Sequence, residues 1–140
     1  MQEIPPEQFN KLHPPGTLVR YWPGIREDGP GTLSLTRSAA WLVGKRTVVA
    51  VEGYAGGIAL SHVDPVNDAI CCYVIYERPD DYPQEFIIRR HYAADGQTHA
   101  ARQIFGRGTT LDYVRTLLPA GLRNIGRFQS DAAVIREVWI

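Results

Sequence analysis

Short runs of β-branched and aromatic residues, each stopped by proline or glycine, constrain this chain more than any other feature. Thr17-Leu-Val-Arg-Tyr-Trp22 is one such run, and Pro23-Gly24 ends it, which predicts a strand and a break. Thr32 to Val43 predicts a second long strand, kinked near Ser38-Ala39-Ala40, and Gly44-Lys45 turns the chain into a third from Thr47 to Glu52. The stretch VVAVEGYAGGIALSHV, Val48 to Val63, has the glycines of a phosphate loop, but such a loop leads into a helix whose free amides hold the anion. Here Ile58 to Val63 alternates with period two and ends at Asp64-Pro65. Neither GxGxxG nor GxxxxGK[ST] is present, so Gly53 to Gly57 is expected as a hairpin connection with glycine supplying positive φ.

The second half follows the same grammar. Ile70 to Arg78 (ICCYVIYER) and Glu85 to Tyr92 (EFIIRRHY) predict strands, joined by RPDDYPQ, whose prolines and aspartates are turn chemistry. Asp95-Gly96 marks another turn, with Thr98 to Phe105 as a strand pairing back. Thr110 and Asp112 open a short helix whose apolar face is Leu111, Val114, Leu117 and Leu118, closed by Pro119 and Gly121. Val134 to Ile140 is expected as a closing strand. Ahead of all this, Pro5-Pro6 and Pro14-Pro15 favour an extended arm over a helix. IREDGPG, Ile25 to Gly31, reads as an exposed loop.

The pattern over residues 16 to 63 resembles an SH3-like small barrel: a strand ending in two aromatics, a long charged loop, two strands on a tight turn, then a glycine hinge into a last strand. YERPDDYPQEFIIRR (Tyr76 to Arg90), LLPAGL (Leu117 to Leu122) and EVWI (Glu137 to Ile140) resemble small uncharacterised bacterial proteins carried on mobile elements such as integron gene cassettes and phages. With VEGYAGGIALSHV the likeness covers most of the chain beyond residue 16. The chain departs from that pattern at Arg78, where a histidine is expected before the proline. The resemblance implies a shared fold and no known activity, and it supplies no catalytic residues. The expected fold is therefore α+β and mostly antiparallel. A proline-rich arm (1–15) would precede an SH3-like β module (16–66) and a ββαβ module (67–140), the two modules packed as one compact unit.

Fifteen basic residues balance fifteen acidic ones, which argues against a nucleic-acid footprint over the whole surface. The amino terminus holds acidic residues and prolines rather than an apolar run, so no secretory signal is expected, and no membrane span either. Cys71 and Cys72 are neighbours, a spacing that would strain any disulfide between them. A reducing, cytoplasmic setting fits best. His13, His62, His91 and His99 show neither HxH nor HExxH spacing, so neither a metal nor a cofactor is expected. His91 and His99 flank the Asp95-Gly96 turn and are read as solvated. Arg89 and Arg90 should point to opposite sheet faces, with Glu77 or Glu85 as partner. GxSxG is absent, and Ser61 and His62, as strand neighbours, should face apart.

The aromatics carry the functional expectation. Tyr21, Trp22, Trp41 and Tyr54 fall at strand ends or beside turns, where a shallow groove holds a peptide or stacks a base; core packing is the competing reading. Arg37 would stand at the rim. The chain reads as a non-enzymatic interaction protein, an accessory of a mobile gene cassette, that recognises a protein partner or a second copy of itself. The alternative is a small oligomeric enzyme whose active site, lined by Tyr54, His62 and Arg37, forms at a subunit interface.

Overall fold

In the computed structural model, which describes residues 3–26, 29–127 and 131–140, the chain is α+β with mainly antiparallel sheets. It divides into two units: Met1–Ala69 with Ala94–Gln97, and Ile70–Ala93 with Thr98–Ile140. The expected loop at Ile25 to Gly31 lies partly outside the described residues, at Glu27 and Asp28.

The amino-terminal segment of the first unit is not an extended arm. Pro6–Leu12 forms a helix, α1, with Pro5 as its N-cap. Proline is harmless at the first helical position, where the missing N–H has no partner in any case. Glu7 in the first turn and Lys11 in the last suit the helix dipole, and the second proline pair stops the helix at His13. Phe9 enters the core. Asn10 holds Ala40 by both backbone groups: its amide donates to the carbonyl at 3.1 Å and its Oδ1 accepts the N–H at 2.6 Å.

Six strands follow: β1 (Leu18–Tyr21), β2 (Thr32–Leu35), β3 (Trp41–Val43), β4 (Arg46–Ala50), β5 (Gly57–Ala59) and β6 (Val63–Pro65). They form two three-stranded sheets, β2-β1-β6 and β3-β4-β5. The sheets meet at a single bridge, Thr36 to Val51, flanked by Arg37 N–H to Ala50 O and Glu52 N–H to Leu35 O, both 2.9 Å, and do not close into a barrel. Val19, Tyr21, Val49, Val51 and Ile58 join Phe9 in the core. The strand expected over Ile58 to Val63 is interrupted by a 3-10 turn at Leu60–His62. That turn brings residues three apart onto one side, so Leu60 and Val63 both reach the core.

The second unit is one five-stranded sheet, ordered β10-β11-β7-β8-β9. Its strands are β7 (Ile70–Glu77), β8 (Phe86–Ala94), β9 (Gln97–Gly108), β10 (Asn124–Gly126) and β11 (Ile135–Trp139), and α2 (Leu111–Thr116) lies between β9 and β10. Relative to the expected ββαβ pattern it has one more strand on each side of the helix. Thr110 caps α2 by accepting the Tyr113 N–H at 3.2 Å. Val114, fully buried, packs with Ile75, Phe86 and Ile88, and Leu111, Leu117, Leu118, Tyr73 and Trp139 close around them. Ile140 leaves its side chain exposed and is held by its backbone to Arg123. Arg78 takes a left-handed φ of 47°, a conformation that histidine tolerates better than arginine.

Because Phe9 anchors α1, Phe9→Ala should lower the unfolding free energy by about 3–5 kcal/mol. Leu12→Ala, at a position 68% exposed, should change it by less than about 0.5 kcal/mol. Equal, negligible effects of the two in urea denaturation would mean that the segment is a free arm.

Candidate binding surface on the first unit

Hydrophobic burial leaves one conspicuous gap in the first unit. β3 is an edge strand, yet Trp41, Leu42 and Val43 are 40%, 55% and 57% exposed. Its pairing with β4 runs Trp41 to Val48, Leu42 to Thr47 and Val43 to Arg46. A two-residue turn closes on the Val43–Arg46 pair, so Val43 and Trp41 aim their backbone groups at β4 and Leu42 aims its own outward. Ala40 has the same outward phase, and there the Asn10 amide occupies both groups.

Side chains alternate between the sheet faces, which puts Trp41 and Val43 with Val48, Ala50, Gly57 and Ala59 on one face. Gly57 is needed where it is. A Cβ there would stand 2.7 Å from Val48 Cγ2 and 3.1 Å from Trp41 Cη2, so the indole lies in the space a side chain would fill. The exposed turn beside this face carries Lys45 and Arg46.

The six residues singled out from sequence fall in three places. Tyr21 turns its ring into the core, 6.1 Å from the half-exposed ring of Tyr54. Arg37 braces the same region, donating from Nε to Val51 O at 2.8 Å and from Nη2 to Tyr54 O at 3.2 Å. Trp22 is buried, with Nε1 donating to Gly29 O at 3.1 Å and the Arg26 guanidinium 4.8 Å above its ring. His62 Nδ1 donates to the Trp22 carbonyl at 3.1 Å, and with Ser61 it sits in the 3-10 turn rather than in a strand. Trp41 lies on the other sheet. Leu42, Val43 and Asn10 were not singled out. Three consecutive apolar residues beside a turn read equally well as a buried strand, and only the sheet order makes this one an edge.

Other expectations change in the second unit. His91 is not a solvated loop residue: it is half-buried and its Nε2 is hydrogen-bonded to Tyr76 Oη at 2.6 Å. Burial, with His99 and Arg89 adding, holds its imidazole below the usual histidine range, and burial raises the Tyr76 phenol against the pull of Arg89. Glu85 pairs with Arg107, not with Arg89 or Arg90. Arg90 instead lies over the Phe105 ring, its Nε buried with no hydrogen-bond partner among the described residues. Burial pushes the Cys71 and Cys72 thiols up, so both stay protonated at neutral pH. Among the described residues no group of three or more His, Cys, Asp or Glu is placed to hold a metal. No helix among them is long and apolar enough to cross a membrane.

Comparison of the chain with protein-family models, with curated proteins and with solved structures finds no match.

The His91–Tyr76 pair makes stability depend on pH. The folded imidazole titrates below its ordinary value, so its contribution is complete above about pH 6.5, the value expected in the unfolded chain. Below that pH the unfolded chain takes up a proton that the folded one refuses, and stability falls until the folded His91 itself titrates. The urea midpoint should drop between about pH 7.5 and about pH 5.5, and less in His91→Gln. An equal drop in both proteins would rule this origin out.

Proposed function

We propose that this chain is a non-enzymatic interaction module whose first unit, an SH3-like arrangement of two open sheets, docks a partner protein on the β3 face. One observation carries the reading: an edge strand exposes Trp41 and Val43 side by side on one face of its sheet, with Leu42 exposed on the other. Single exposed apolar residues are ordinary, but a contiguous group on a sheet edge marks an interaction site. The antiparallel pairing of β1 with β6 and the 3-10 turn between β5 and β6 support the SH3-like reading. The resemblance of the second half to mobile-cassette proteins supports an accessory role on such an element.

The edge itself favours side chains over strand addition. With Ala40 taken by Asn10, an incoming strand would find only the outward groups of Leu42 along β3. A second copy pairing β3 with β3 would meet the same obstruction. The partner is instead a segment with an apolar anchor for the Trp41 face, the kind of residue that dominates interface energies. Carboxylates beside that anchor would meet Lys45 and Arg46 and set orientation and encounter rate.

Selection of short peptides from a random library on the immobilised chain tests this. Recovered sequences should pair an apolar residue with acidic neighbours and bind with a Kd of about 1 μM to 1 mM. Trp41→Ser should weaken them by about tenfold or more, and Lys45→Glu with Arg46→Glu should slow association. Peptides that bind Trp41→Ser as tightly as the parent would overturn the site. A dimer in sedimentation analysis that Leu42→Lys disperses would place a second copy there and overturn the partner assignment.

A further inference from the structure

The second unit holds an open cleft of about 480 Å³, lined by Tyr76, Pro79, Asp81, Arg89, Arg102 and Val134, with Ala100 and Ala101 beside them. Its volume is that of a small-molecule site. Arg89, Arg102 and Asp81 are its charged members. Arg89 is only 22% exposed. One of its Nη1 hydrogens goes to the Arg102 carbonyl, and Asp81 Oδ2 stands 3.6 Å from Nη2, beyond hydrogen-bonding distance. The Asp81 side chain is itself 61% exposed. This ion pair therefore leaves part of the guanidinium fork without a hydrogen bond, and a planar guanidinium is suited to bidentate contact with an oxyanion.

Two further features set the chemistry of the occupant. Tyr76 lines the cleft and is fixed by His91 at 2.6 Å. Both members of that pair are neutral near pH 7 for the reasons of burial given above, so the phenol adds a directed polar contact without charge. Pro79, Val134 and the alanines of β9 add an apolar wall. A bare inorganic ion would leave that wall in water, whereas a ligand with an apolar body would cover it.

We propose that this cleft binds a small molecule carrying a carboxylate or phosphate on an apolar body, with Arg89 taking the oxyanion and Tyr76 a second polar contact. The site is independent of the β3 docking face, and either can fail without the other. Backbone-amide NMR on the full chain tests it, with benzoate, phenyl phosphate and inorganic phosphate as probes. Benzoate or phenyl phosphate should shift the amides of residues 76, 81, 89 and 100–102 saturably, at least about tenfold more tightly than inorganic phosphate. Arg89→Met should abolish that saturation with a spectrum still dispersed as a folded protein. Tyr76→Phe, the milder change, should weaken it several-fold and keeps the test open should Arg89→Met not fold. The proposal is overturned if no probe saturates, if inorganic phosphate binds equally well, or if folded Arg89→Met and Tyr76→Phe bind as the parent does.

Discussion

Unpaired strand edges are the constraint on which the rest of this structure depends. Three open sheets, each with two edge strands, present rows of N–H and C=O groups that template pairing with other chains unless something occupies them. The chain treats each edge differently. The end of β2 passes its open groups to the end of β4 through the Thr36–Val51 bridge and the bonds on either side of it. β10 is three residues long, too short to template much. β9 runs twelve residues and is broken up by Gly106 and Gly108, with Arg102 and Arg107 exposed along it. At β3 the guard is a single side chain, Asn10, delivered by a helix that Phe9 anchors in the core. Folding of the amino terminus and accessibility of the β3 edge are thus one event.

The second unit solves a different problem, a buried charge. Glu137 sits in β11, its side chain 8% exposed, and forms a two-pronged pair with Arg115 of α2 while Trp139 Nε1 adds a bond at 3.1 Å. Burial alone would raise the carboxyl, yet these donors leave it below its usual range. A carboxylate so held ties helix to sheet at a defined register, because removing one partner strands a charge away from water. Glu137 stands opposite Ile75 of β7, one residue from Tyr76, so the pair braces the end of β7 that lines the cleft together with Arg89 of the neighbouring β8.

Much of the fold was legible because strands advertise themselves by alternation and turns by glycine and proline. The β7–β8 hairpin, the capped α2 and the Gly44-Lys45 turn all follow from such signals. What escaped depended on position rather than type. Proline reads as a helix breaker unless one knows it falls at the N-cap and first helical residue, so the sequence predicts an arm where α1 forms. Period-two alternation from Ile58 to Val63 hid a 3-10 turn: a straight strand would put Leu60 and Val63 on opposite faces, and only the bend brings both to one core. β10, at Asn124–Gly126, has no pattern to read. The candidate surface was half-legible: Trp41 stood out as an aromatic beside a turn. Leu42 and Val43 gain their meaning from sheet order, which no local pattern encodes. The polar members of the second-unit cleft come together from one loop and three strands, a convergence invisible along the sequence.

Amide hydrogen exchange at Ala40 and Leu42 tests the central claim most directly. If Asn10 guards the edge and leaves Leu42 open for side-chain docking, Ala40 is protected in the isolated protein and Leu42 exchanges at close to the rate of an unstructured chain. Asn10→Ala should then release Ala40 while the amides between β4 and β5 keep their protection. Strong protection at Leu42 in the isolated protein would mean that the β3 edge is already paired, and would contradict this account.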